Sequence, residues 1–217
     1  MRWFDHHQGW PLKFVNSPGF SISVKAESCA QVLNYLRPSE YPSPGDSPYM
    51  WEEMVADATV ADTCKGKLGW RGDLIEKAIK SDLSNEKIKE AAFWWVLLNR
   101  EEDRVSLEKA AKKYAEIQTE TERLAATYQV TDKVALVDAR ESNHQYDLTQ
   151  LLLAGQKLAP FAVVLVARPK QGEGLTIATS RKDVNLVELF SLGSGAPFRI
   201  SLPAKRLEEA LAKLATV

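Results

Sequence analysis

"SLEKAAKKYAEIQTETERLAATYQ", residues 106–129, decides how this chain is organised. Leu107, Ala111, Tyr114, Ile117, Leu124 and Tyr128 recur at steps close to three and four. That is the period at which one face of a helix becomes apolar. Ser106 precedes the pattern, where its hydroxyl can accept a bond from a first-turn N–H. The surroundings favour an uninterrupted helix, with no glycine between Asp73 and Ala154 and no proline between Tyr49 and Ala159. Composition differs on the two sides. All six tryptophans lie between Trp3 and Trp95. After Val130 come short apolar runs, "KVALVDA" (133–139), "FAVVLVA" (161–167) and "LTIATS" (175–180), separated by helical segments. The spacing therefore predicts a long helix linking a tryptophan-containing N-terminal unit to an α/β C-terminal unit.

A length of 217 residues suits two units, each able to bury a core. The 45% apolar and 26% charged residues are those of an ordinary globular protein. A formal net charge of −1 argues against nucleic-acid binding by bulk electrostatics, though a local basic groove stays open. Cys29 and Cys64 are too few and too far apart for a disulfide scaffold or a C-x-x-C site. Cys64 reads as a small buried residue. No leader pattern and no apolar run near eighteen residues is present, so the expectation is a cytoplasmic protein without a membrane span.

In the N-terminal unit, "RWF" (2–4) and "FSISVKA" (20–26) read as strands and "AESCAQVLNYLR" (26–37) as a helix. A Pro/Gly/Ser-rich loop follows. Ser47–Pro48 then starts the helix "YMWEEMVADATVAD" (49–62), since proline suits a first helical position. Helices over "DLIEKAIKS" (73–81) and "NEKIKEAAFWWVLLNR" (85–100) complete it. Phe93, Trp94 and Trp95 read as core packing, because no basic residues interleave them as a base-stacking platform would need.

Chemistry concentrates in "WFDHHQG", residues 3–9. The chain holds three histidines, and two of them, His6 and His7, follow Asp5 directly. A doublet at a strand end sends its side chains to different sides, so one can meet a metal while the other faces a ligand. An adjacent carboxylate can orient a ligand histidine. A plain surface loop stays open as the alternative. Asp62 in "VADATVADTCKG" (55–66) sits where a helix gives way to a loop, a suitable place for an acid bridging hard divalent cations. Asp57 reads as a polar helix-face residue, and His144 as an exposed loop histidine.

Together, "WFDHHQG", "ADATVADTCKG", the long helix and the α/β unit resemble the DHH phosphoesterase superfamily, over nearly the whole chain. The resemblance implies hydrolysis of a phosphodiester or nucleotide by a water activated on Mn²⁺ or Mg²⁺. His6 would then be a metal ligand and Asp62 would bridge the metals. His7 would contact the substrate phosphate or support the leaving group, and Asp5 would orient the doublet. The family's C-terminal domain carries a Ser/Arg strand end, a helix and a glycine-rich turn. "ATSRKDVNLVELFSLGSGAPFRISLP" (178–203) has that layout. Ser180 and Arg181 would end the strand, and Gly193, Ser194 and Gly195 would cradle phosphate oxygens with backbone amides. Arg181 or Arg199 would pair with them bidentately.

The chain departs from the family in two ways. Ala196 stands where the family places histidine, with Arg199 and Ile200 in place of small residues. Only four residues precede Asp5, where the family carries further metal-binding acids, so Mn²⁺ would be weakly held. The expected fold is α/β in two units: a truncated DHH-type α/β domain (1–104) and a smaller α/β DHH-associated substrate-binding domain (130–217), joined by a helix over 105–129. A fragment, a natural short form and half of a two-chain enzyme stay open. The expected function is a DHH-family phosphoesterase, incomplete or inactive as this chain alone, acting on a small nucleotide or short oligonucleotide. The alternative is a non-catalytic nucleotide- or partner-binding protein. A partner chain or second copy would cover an open sheet edge.

Overall fold

Eight consecutive residues without a charge until the last, Phe161–Arg168, form the strand around which the C-terminal unit is built. Both of its faces are buried over residues 161–166, as expected of an unbroken apolar run. In the computed structural model, residues 3–5, 20–22, 51–63, 66–168, 172–192 and 196–217 are described, with backbone alone for 3–5, 20–22, 51, 97 and 168. The molecule is mixed α/β. It divides into two units, Met1–Tyr114 and Ala115–Val217, and the boundary falls inside the long helix.

In the first unit, β1 (Trp3–Asp5) pairs in parallel with β2 (Phe20–Ile22), Asp5 opposite Ile22. Four helices follow: α1 (Trp51–Thr63), α2 (Trp70–Ser81), α3 (Glu86–Leu98) and α4 (Glu101–Ala125). Asn85 caps α3 by accepting from the Lys87 amide, and Asn99 ends it at a φ of 51°, the left-handed conformation that asparagine tolerates. The core joins Ala78, Ala91, Ala92 and Trp95 to Leu107 and Ala110 of α4. Only part of the aromatic expectation holds. Trp95 is buried and its ring meets Trp70 edge-on at 5.8 Å, but Phe93 is 57% exposed. Helical geometry explains this: adjacent residues lie about 100° apart, so three in a row cannot share one buried face.

The long helix begins at Glu101, five residues before the predicted cap. Ser106 is an interior residue whose hydroxyl donates to the Glu102 carbonyl at 2.8 Å. The acidic first turn, Glu101, Glu102 and Asp103, complements the positive end of the helix dipole and marks the true start.

The second unit is a five-stranded mixed sheet in the order β3 (Gln129–Val130), β4 (Val134–Asp138), β5 (Phe161–Arg168), β6 (Gly172–Thr179), β7 (Arg199–Pro203). Only β4 and β5 are parallel, joined by α5 (Leu148–Gln156). Alternation along the strands separates two cores. Phe161, Val163, Leu165, Leu175, Ile177, Ile200 and Leu202 face α6 (Leu186–Leu189) and α7 (Leu207–Ala215). Ala162, Val164, Val166 and Ala178 face α5 and the end of α4, through Leu151, Leu152 and Leu124. At Gly155 of α5 a Cβ would lie 2.8 Å from Ala162 Cβ and from the Tyr128 hydroxyl, so only glycine lets the helix come this close. Where the sequence predicts a helix over 183–190, α6 is a single turn that Asn185 caps by accepting from the Val187 and Glu188 amides. Among the described residues, no helix is long and apolar enough to cross a membrane.

Candidate functional site

The sequence candidates fall in both units. Asp5 is the last residue of β1, so the doublet follows a strand end; His6 and His7 lie outside the described residues, as does Cys64. Asp62 is exposed, in the last turn of α1. Asp57 does more than decorate a helix face. Its Oδ1 accepts from the Gly69 amide at 2.7 Å, capping the start of α2 from twelve residues upstream. Gly72 makes room for this carboxylate, since a Cβ there would meet Asp57 Oδ2 at 2.5 Å. Among the described residues, no three His, Cys, Asp or Glu side chains are grouped to hold a metal ion. They do not by themselves fit a two-metal centre.

In the second unit the candidates gather where β6 ends and β7 begins. Ser180 is exposed directly after β6. Thr179 fixes the turn, because its hydroxyl donates to the Pro160 carbonyl at 3.0 Å and accepts from the Arg181 amide at 3.1 Å. Arg181, proposed from sequence to meet a phosphate, already spreads its fork over Asp183: Nε donates to Oδ1 at 3.1 Å and Nη2 to Oδ2. The guanidinium holds the Asp183 carboxyl below its ordinary range, and the carboxylate in turn raises Arg181. Gly193, Ser194 and Gly195 lie outside the described residues. Beyond them the Ala196 carbonyl accepts from the Arg199 amide, the Pro197 carbonyl from Leu186 and the Phe198 carbonyl from Thr179. That backbone lattice fixes the start of β7.

Arg199 is held differently from Arg181. It pairs with Ala178 across the sheet, so its side chain lies on the α5 face, where Nη1 donates to Thr149 Oγ1 at 3.3 Å. Two residues along β7, Ser201 projects from the same face opposite Thr176. Nothing in the sequence singles out Thr149, Thr176 and Ser201. Two polar residues at even spacing in a sheet were a weak signal, and only the strand register brings them beside Arg199.

Two further charged clusters serve the scaffold. Arg140 ties the end of β4 to the start of β6 by donating to Asp138 and, at 2.5 Å, to Glu173; the guanidinium lowers the Asp138 carboxyl. Glu120 of α4 is buried and accepts twice from Arg123 at 2.7 Å and once from Ser142 at 2.5 Å. These bonds, Arg123 foremost, pull its carboxyl down to about 2. Next to it the Thr121 hydroxyl accepts from the Asp147 amide at 2.8 Å, so α4 anchors both ends of the loop that leads into α5. His144 sits exposed in that loop, as expected.

No family model matches the chain, and no curated protein does. Among solved structures, it resembles the pGpG-specific phosphodiesterase PggH of Vibrio cholerae, with a TM-score of 0.64 at 16% identity over 98% of this chain and 77% of that one. That likeness shows the fold. An uncharacterized protein from Helicobacter pylori G27 superposes at a TM-score of 0.29 and 11% identity, covering 100% of this chain and 74% of that one, and carries no argument.

Proposed function

We propose that this chain is a phosphoesterase of the DHH type that hydrolyses the phosphodiester bond of a short oligonucleotide. The observation that carries the reading is the fold likeness to a phosphodiesterase along 98% of the chain. The Asp5–His6–His7 triplet, with Asp5 at the end of a parallel-paired strand, supports it. Water adds to phosphorus, one bridging P–O bond breaks, and two shorter nucleotides leave. Mn²⁺ or Mg²⁺ enters through the sequence resemblance, with His6 and Asp62 of the N-terminal unit as ligands. In the C-terminal unit, in this reading, Arg199, Gly193, Ser194 and Gly195 hold phosphate, together with Ser180. Arg181 joins only by giving up Asp183, an exposed pair that solvent screens.

The test is incubation of the purified chain with a 5′-phosphorylated dinucleotide such as pGpG and Mn²⁺, with mononucleotides separated by chromatography. Mn²⁺-stimulated release that disappears in His7→Ala and in Asp62→Ala is the expected result. Full activity in His7→Ala, or no release at any Mn²⁺ concentration, overturns the assignment. One observation favours a second reading, binding without turnover. Ala196, bridged to Arg199 beside the turn, stands where the DHH pattern has histidine. That form would bind nucleotide and release nothing.

A further inference from the structure

We infer that the outward face of α3, centred on Phe93, is an interface at which two copies of this chain pair through antiparallel α3 helices. The helix itself carries the inference. Residues 91–98, AAFWWVLL, are apolar without exception, and such a run wraps more than two full turns. A helix that is apolar all round is one whose whole circumference is covered. The core of the first unit covers one side, taking Ile88, Ala91, Ala92 and Trp95. Phe93 lies about 200° around the helix from Trp95, on the opposite side. It is 57% exposed, and Leu98, one turn beyond Trp94, is exposed as well. Trp94 meets the Phe93 ring edge-on at 5.0 Å, so the two rings form one continuous surface. Exposed aromatic residues of this kind are what the buried centre of an interface uses.

The charges around this surface select the occupant. Glu86 and Glu90 lie on the same outward side, toward the start of α3, and Arg100 follows its end. Glu90 accepts from Trp94 Nε1 at 3.2 Å, and Glu86 pairs with Lys89 at 2.7 Å in a contact open to solvent. The Arg100 guanidinium lies over the Trp94 ring, 4.9 Å from its centroid, and among the described residues no carboxylate pairs with it. Acid and base thus flank Phe93 at equal intervals, Glu86 seven residues before it and Arg100 seven after. In an antiparallel pair with its two-fold axis at Phe93, the Glu86–Glu90 end of each copy meets the Arg100 end of the other, and the match occurs twice. A parallel pair would set acid on acid. An unrelated partner would need no such symmetry about Phe93. A membrane fits less well, because a helix lying among lipid headgroups carries Lys and Arg beside its apolar face, and this one carries two glutamates there. The pairing uses a helix face rather than a sheet edge, and it does not rest on the function proposed above.

Sedimentation velocity on the full chain at about 1–100 μM tests the interface, the range in which a contact of one helix from each copy dissociates. A mass that moves from one chain toward two as concentration rises is expected. Phe93→Asp sets two carboxylates against each other on the axis and raises the dissociation constant about a hundredfold or more. Leu158→Asp, at an exposed leucine of the C-terminal unit, leaves it unchanged. Glu86→Arg and Arg100→Glu each weaken pairing, and the double variant restores it. Within one chain the Cα positions of those two residues lie about 20 Å apart, so restoration requires contact between copies. On oxidation Phe93→Cys forms a disulfide between copies that Leu158→Cys does not, which places the axis. Circular dichroism confirms that every variant folds. A chain that stays monomeric at the highest concentration, a dimer as stable in Phe93→Asp as in wild type, or a double variant weaker than both single ones overturns the pairing. Pelleting of the monomer with vesicles of phosphatidylglycerol and phosphatidylcholine, abolished by Phe93→Asp, would assign the face to a membrane and overturn it too.

Discussion

Replacing Glu120 by Gln tests how the loop between β4 and α5 is held. The native carboxylate is 7% exposed and receives two bonds from Arg123 and one from Ser142. A glutamine keeps one acceptor oxygen and turns an NH₂ toward the second donor of Arg123. About one charge-assisted bond is lost outright and another is weakened to a neutral one. At about 1.5–3 kcal/mol for a bond to a charged group, and allowing for retained contacts, the cost is about 2 kcal/mol. For a chain of this length that lowers the melting temperature by about 4–8 °C. The pH dependence gives the sharper test. With its folded carboxyl pulled down to about 2, Glu120 contributes stability that is fully present above its ordinary value of 4.5. That contribution is lost as pH falls through the folded value. The gap between wild type and Glu120→Gln should therefore be constant from pH 7 to 5 and shrink steadily toward pH 2. Every other carboxylate is common to both proteins and cancels in the difference. Thermal melts followed by circular dichroism at four pH values would measure it. A variant that melts within a degree of wild type at pH 7, or a gap that persists unchanged at pH 2, refutes the reasoning.

Four further substitutions separate packing from surface charge. Gly155→Ala gains about 1 kcal/mol of helix propensity, but places a Cβ 2.8 Å from Ala162, which β5 holds fixed; urea melts should show a net loss of about 1–2 kcal/mol, and a raised midpoint would mean that α5 can slide. Asp57→Ala and Gly72→Ala should each cost about 1 kcal/mol, because both remove the same cap on α2. The double variant should cost little more than either alone, whereas full additivity by denaturant titration would show two separate effects. Arg140→Ala removes bonds to Asp138 and Glu173 at the sheet rim; solvent screening keeps the loss small, and a clear drop in melting temperature would mark the cluster as a structural clasp.

Elements whose cause is local were legible in the sequence. Phe161–Arg168 announces a central strand, since an unbroken apolar run can be satisfied only by burial on both faces. The three-and-four spacing of Leu107 through Leu124 gives the long helix, though the acidic turn of Glu101, Glu102 and Asp103, and not Ser106, marks its start. Contacts that join distant positions were not legible. Asp57 reaches an amide twelve residues away, Glu120 a hydroxyl twenty-two away and Arg199 a hydroxyl fifty away. The candidate site shows the same division. Arg181 and Arg199 look alike as residues in a string, but Asp183, two positions on, occupies the first fork, while β7 carries the second to a face without acids.

The strand order also bears on aggregation. "FAVVLVA" has the β-branched, uncharged character of a cross-β segment, and the fold places it third of five, bonded on both sides. The rims are poor templates for another chain: β3 offers two residues, and β7 offers five that begin with Arg199 and end with Pro203. Fibre seeding from the native state is therefore suppressed, and conversion has to pass through opening of the C-terminal unit. Its rate should follow the unfolding rate of that unit, so a stabilising ligand on the sheet would slow aggregation as well as unfolding.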